Sequence, residues 1–221
     1  MKDTDTDLLC LVDTHLVAYI ETCILPRYAD FDAAHRRSHA ERVMARSLEM
    51  ARGYDVSPNM VYAIAAYHDL GLAEGRATHH LASGRIVRED TALRQWFAPS
   101  EIETMAEAVE DHRASADHAP RSIYGRIVAE ADRLIEPATI VRRTVQYGLA
   151  HYPQLSPEEH IERAMGHLDE KYGPRGYLKL WIPGSDNERN LRDLWRQMED
   201  RAAMRAYIEE VFRGLCSEGD K

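Results

Sequence analysis

The sequence predicts an all-α protein forming a single domain over residues 1–221. Three observations carry this. Apolar residues recur at three- and four-residue spacing along nearly the whole chain, the patterned segments open at Ser or Pro and close at Gly or Pro, and no stretch alternates strongly enough for a sheet. With 221 residues, 44% hydrophobic and 29% charged, the chain can bury a substantial core.

The elements follow in order. Residues 8–25, LLCLVDTHLVAYIETCIL, read as a first helix stopped by Pro26. SHAERVMARSLEMARG opens at Ser38 as a cap, shares a face through Val43, Met44, Leu48 and Ala51, and stops at Gly53. SPNM starts the third helix with Ser57 as cap and Pro58 at the first helical position, where the missing N–H costs nothing. That helix runs through the apolar stretch AIAAYHDLGL to Gly71. Thr78 is placed to cap HHLASGRIVRED, and Ser100 with Glu103 has the spacing of a capping box in PSEIETMAEAVEDH. SIYGRIVAEADRLIEP ends at Pro137 and ATIVRRTVQYGLAHYP at Pro153. SPEEHIERAMGHLDEKYG has the box pair Ser156 and Glu159, and a final amphipathic helix covers about 187–214. Residues 173–187, GPRGYLKLWIPGSDN, are neither helical nor simply polar and are expected to plug the helix core, with a lid over the site as the alternative.

Composition narrows the function. The formal charge is −9, from 28 basic and 37 acidic residues, which argues against nucleic-acid binding by phosphate neutralisation. A small phosphorylated substrate stays compatible, because a metal can supply positive charge locally. Cys10, Cys23 and Cys216 are scattered without CxxC spacing, as a reducing cytosol permits. The N-terminus lacks a basic segment followed by an apolar run, so neither a signal peptide nor a membrane span is expected and the location is cytoplasmic. No Walker loop, GxSxG elbow or Cys-His pair is present.

Six side chains point to a metal. His68 and Asp69 lie side by side on an apolar helix, about 100° apart around its axis, so both can turn toward a point between them. His39 stands at a helix start, His80 near another, His112 near a helix end, and Asp132 interrupts the apolar IVAEADRLI. A buried carboxylate without a partner costs several kcal/mol, so Asp69 and Asp132 need cations or several donors. Six imidazoles and carboxylates on five helices form the ligand set of a dinuclear transition-metal site.

The order His39, His68-Asp69, His80, His112, Asp132 resembles the HD-domain superfamily of metal-dependent phosphohydrolases, in its dinuclear H…HD…H…H…D subclass. AAYHDLG, HLASG, EAVEDHRAS and AEADRLIEP are similar to the family's flanking segments, most of all to those of the bacterial HD hydrolases that cleave diadenosine tetraphosphate. The resemblance spans about residues 36–148. It implies an HD helical bundle with a core at about 30–150 and a C-terminal helical extension at about 151–221. It also implies that His39, His68 and Asp132 hold one divalent metal, that His80 and His112 hold the second, and that Asp69 bridges them. His79 is the alternative to His80; His80 matches the family spacing because Gly84 lies four residues on. Many members carry Lys or His three residues after the HD aspartate as a phosphate contact. That position is Leu72 here, which moves the task to arginines, with Arg113 and Arg121 as candidates.

Two such metals, about 3.5–4 Å apart, lower the pKa of water and polarise a phosphoryl oxygen, which suffices for hydrolysis of a phosphoester or phosphoanhydride. The expected ions are drawn from iron, manganese, cobalt, nickel and zinc, and the expected partner is a small phosphorylated substrate such as a nucleotide. The same ligand set serves HD-superfamily di-iron oxygenases, the alternative reading. A non-catalytic metal-stabilised binding module is a third.

Overall fold

The structure is a computed structural model that describes residues 8–31, 35–114, 116 and 118–219. The acidic opening stretch, residues 1–7, lies outside the described residues. Ten α-helices and no strand are found among the described residues, so the all-α expectation holds. No helix among them is long and apolar enough to cross a membrane.

The chain divides into two compact units, residues 1–133 and 134–221. The first is built around α3 (Pro58–Tyr67), in which every residue from Met60 to Tyr67 is buried. A helix apolar all round must be enclosed on all sides. Here α2 (Arg37–Ala51), α4 (His79–Glu89), α5 (Pro99–Glu110) and α6 (Ile123–Asp132) pack around it. α2 contributes the stripe Ala40, Val43, Met44, Ser47, Leu48 and Ala51, the three-and-four spacing of one buried face. Packing α2 on α6 and α4 on α5 sets the start of one helix beside the end of the other.

The expected first helix is instead four short pieces: a 3₁₀ turn at Leu8–Leu11, α1 (Thr14–Tyr19), a π turn at Ile20–Ile24 and a 3₁₀ turn at Leu25–Tyr28. Asp13 causes the first break. Its carboxylate accepts from the backbone N–H of His15 and Leu16, which starts a new helix. Ser57 and Ser156 cap as expected. Ser38 does not, because α2 begins one residue earlier with Arg36 at the cap position. Ser100 lies inside α5, whose first residue is Pro99, and Glu101 rather than Glu103 reaches back to the Ala98 N–H at 2.8 Å. Thr78 holds the cap position of α4 without a side-chain hydrogen bond.

The second unit contains α7 (Pro137–His151), α8 (Pro157–His167), α9 (Asp186–Glu199) and α10 (Arg201–Gly219). α6 ends at Asp132, Arg133 is extended, and Pro137 cannot follow a helical residue comfortably. The apolar face of α7, Ile140, Val141 and Val145, belongs to a bundle with α8, α9 and α10. The long final helix is broken at Asp200, whose carboxylate accepts from the Ala203 N–H and restarts the chain as α10. Residues 173–185 form turns that bond back to Glu170 and Lys171 and bury Leu178 and Ile182, so the segment fills core within this unit.

Candidate metal centre

Five helix ends meet in the first unit. His39 stands near the start of α2, His68 and Asp69 follow the last residue of α3, and His79 opens α4. His112 lies just past α5, and Asp132 is the last residue of α6. Helix ends leave backbone groups without intrahelical partners, and the imidazoles take them up. His68 Nδ1 is 2.7 Å from the Ala65 carbonyl, His112 Nδ1 is 2.6 Å from that of Val109, and His79 Nδ1 is 2.9 Å from that of Arg76. A carbonyl only accepts, so each Nδ1 carries a proton and each ring turns its Nε2 away from its own backbone.

The Nε2 atoms converge. His79 Nε2 and His112 Nε2 lie 3.1 Å apart, as do His39 Nε2 and His68 Nε2. Asp69 stands between the two pairs. Its Oδ1 is 3.5 Å from His79 and 3.4 Å from His112, while Oδ2 is 3.4 Å from His39 and 3.2 Å from His68. Asp132 Oδ1 joins the second pair at 3.2 Å from His39 and 3.8 Å from His68. Two groups of three donors lie within ligating reach of each other: His39, His68 and Asp69, and Asp69, His79 and His112.

Electrostatics show what the gap demands. Burial alone would raise the carboxyl pKa of Asp69 and Asp132, yet the surrounding imidazoles hold both below the ordinary range. Burial would lower His68, but Asp69 outweighs it and the ring is raised. His39 is also raised against burial, by Asp132 and Asp69. At His39 the geometry adds a second influence. Arg42 Nη2 lies 2.8 Å from His39 Nδ1, and a guanidinium only donates, so the ring accepts there and carries its proton on Nε2. That Nε2–H points at Asp69 and Asp132, and an ion held at Nε2 would displace its proton. Facing lone pairs repel unless a proton or a cation lies between them. Two carboxylates and four imidazoles, three of them with the outer N–H anchored on a carbonyl, suit a divalent transition ion, and the donor set therefore fits the expected metals.

His80 is not brought to Asp69; His79 is. His79 is the first residue of α4, and its Nδ1, anchored on the Arg76 carbonyl, turns its Nε2 toward Asp69. The His80 ring lies beside that of His79 at 5.6 Å, and its buried Nδ1 has no hydrogen-bond partner among the described residues. Burial, then the nearby Arg113 charge, pushes its pKa down to about 4. Gly84 misled the spacing. A Cβ there would lie 2.6 Å from the Glu110 carboxyl, so this glycine serves the close approach of α4 to α5.

Arg113 follows His112 and donates to the Ala77 carbonyl at 2.5 Å, beside the start of α4. This takes one of its five N–H donors. Arg121 is placed otherwise than expected. Its guanidinium donates to Asp111 at 3.0 Å, to Glu110 at 2.7 Å and to the Glu107 carbonyl at 2.9 Å, all at the end of α5. It ties the segment before α6 to α5 and is not retained as a phosphate contact. Leu72 belongs to the 3₁₀ turn Leu70–Glu74 after Asp69, which Gly75 ends at φ 113°.

The helix ends of this unit gather four imidazoles around a shared carboxylate, a donor set that could hold metal ions. Residues 36–136, just under half of the chain, match the HD domain, from the residue before α2 to the residue before α7. The match supports membership of the HD superfamily. HD domains bind divalent metals and are typical of metal-dependent hydrolases. No curated protein and no solved structure matched the chain.

Proposed function

We propose that the protein is a phosphohydrolase that cleaves a phosphoester or phosphoanhydride in a nucleotide or another small phosphorylated metabolite. One observation carries the reading: Asp69 turns one oxygen to His79 and His112 and the other to His39 and His68, the arrangement of a carboxylate shared by two cations. His39, His68 and Asp132 would hold one ion, His79 and His112 the other, with Asp69 between. When bound, such ions lower the pKa of water toward neutrality and offset charge on a phosphoryl group.

The chain's own residues do the rest. The carbonyls of Ala65, Val109 and Arg76 fix the ring orientations before any ion arrives. His68 is fully buried, whereas the Asp132 side chain is 28% exposed, so the site is closed behind α3 and open on the Asp132 side. Arg113 supplies a planar fork for substrate phosphate near the His79 side. In a chain of net charge −9 such local cations are needed to draw an anion in.

The test is elemental analysis of the purified protein, followed by a phosphoester and nucleotide panel with manganese, iron or cobalt. Two ions per chain and metal-dependent release of phosphate or a phosphorylated fragment are expected. Substrate-dependent oxygen uptake with no phosphate released would overturn the reading in favour of a di-iron oxygenase. Tight metal with no turnover would leave a binding module.

A further inference from the structure

We propose that Tyr28, which lies before the segment matching the HD domain, is a positioning residue that sets the His68–Asp69 turn for metal binding. The inference rests on the metal reading of the cluster and extends it to a residue that touches no ion.

Tyr28 ends the 3₁₀ turn Leu25–Tyr28 and is fully buried. Its hydroxyl donates to the Ala66 carbonyl at 2.9 Å and accepts from the Asp69 N–H at 3.4 Å. Ala66 belongs to the last turn of α3, whose carbonyls lack intrahelical partners. Two successive carbonyls there are satisfied from outside the helix ladder, that of Ala65 by the His68 ring and that of Ala66 by the Tyr28 phenol. The same phenol holds the backbone of Asp69, which has φ −109° and ψ 3°, close to the sparsely allowed bridge region. Both oxygens of Asp69 face imidazoles, so a shift of this backbone displaces both groups of donors together.

A substitution that only loosened the fold would not act this way, and a second, half-buried phenol provides the comparison. Tyr19 donates to Asp90 at 2.6 Å and makes no hydrogen bond to the His68–Asp69 turn. Tyr28→Phe and Tyr19→Phe each delete one hydrogen-bonded hydroxyl.

The experiment is calorimetric titration of the metal-stripped full chain with Mn²⁺ alone, in the cold, where circular dichroism confirms native helix content. Co²⁺ absorption spectra report coordination independently. Tyr28→Phe is expected to weaken Mn²⁺ binding tenfold to a hundredfold at both sites, about the effect of losing an outer partner of a metal ligand. Tyr19→Phe is expected to bind as the wild type does and to match Tyr28→Phe in melting temperature within a few degrees. Wild-type affinity in Tyr28→Phe, or equal weakening in the two variants, overturns the proposal. Absence of Mn²⁺ and Co²⁺ binding in the wild type overturns the metal reading itself, and this proposal with it.

Discussion

The backbone N–H of Gly71 donates to Ser83 Oγ at 2.8 Å, so the turn after Asp69 is bonded to α4, the helix that carries His79. The two halves of the candidate centre are thereby held by one contact between backbone and side chain. Only glycine permits the approach. A Cβ at position 71 would lie 2.1 Å from the His79 carbonyl oxygen and 2.6 Å from the Ser83 nitrogen, and neither backbone atom can swing aside.

Gly71→Ala should therefore force α4 away from the turn. The expected cost is about 3 kcal/mol, at the upper end of overpacking penalties. Urea melts measure it, and metal analysis should show the His79 side emptied more than the His39 side. A variant with wild-type stability would show that the turn and α4 are not in the contact described.

Asp69→Asn keeps the shape and removes the charge shared by both halves. Metal content should fall at both positions, and kcat/KM should fall by at least about a hundredfold, since a direct ligand matters more than its outer partners. His79→Ala should empty one position and leave the other. His80→Ala should retain both ions, and loss of an ion in that variant would reverse the placement of the two rings. Mass spectrometry of metal per chain decides among these outcomes.

The fold class and most of the clustering residues were legible in the sequence, because His39, His68, Asp69, His112 and Asp132 stand out as polar groups on or beside apolar helices. The choice between His79 and His80 was not. It depends on where α4 begins and on the Arg76 carbonyl that anchors His79, and neither leaves a spacing signal. Gly84 pointed to the wrong ring because its own constraint is Glu110. Arg121 read as a free cation, since the carboxylates that hold it lie ten to fourteen residues away and meet it only in the folded chain. Tyr28 contacts Ala66 across 38 residues, a relation no local pattern encodes. The breaks at Asp13 and Asp200 were hidden because a capping aspartate inside an amphipathic run looks like one more exposed polar position.

The two arginines should separate by what they change. Arg113→Ala removes the proposed charge-assisted contact to substrate, worth about 1.5–3 kcal/mol, so kcat/KM should fall roughly tenfold to a hundredfold with metal content unchanged. Arg121→Ala strips the guanidinium from the buried Asp111 carboxylate, which retains the Arg121 N–H at 2.6 Å. Because Arg121 is 39% exposed, the loss is moderated by solvent, to about 1–2 kcal/mol of stability. Steady-state kinetics beside thermal melts distinguish the two effects, and a large kinetic defect in Arg121→Ala at a temperature where it is folded would restore it to the site.

Acid should weaken the second unit through His160. The residue is buried on α8 with its ring 5.5 Å from that of Phe212, and burial, then the nearby Arg163 charge, lowers its pKa from the ordinary 6.5. The folded state thus prefers the neutral ring. Its stabilising contribution is present above pH 6.5 and is lost as pH falls through that value toward the lower folded pKa. His167, lowered in the same direction by burial, adds to the loss. Urea melts of the wild type at pH 7.5 and pH 5 should show falling stability, and His160→Leu should show a smaller fall because it removes one of the two titrating rings. An identical pH dependence in wild type and variant would show that His160 takes up its proton without cost in the folded chain.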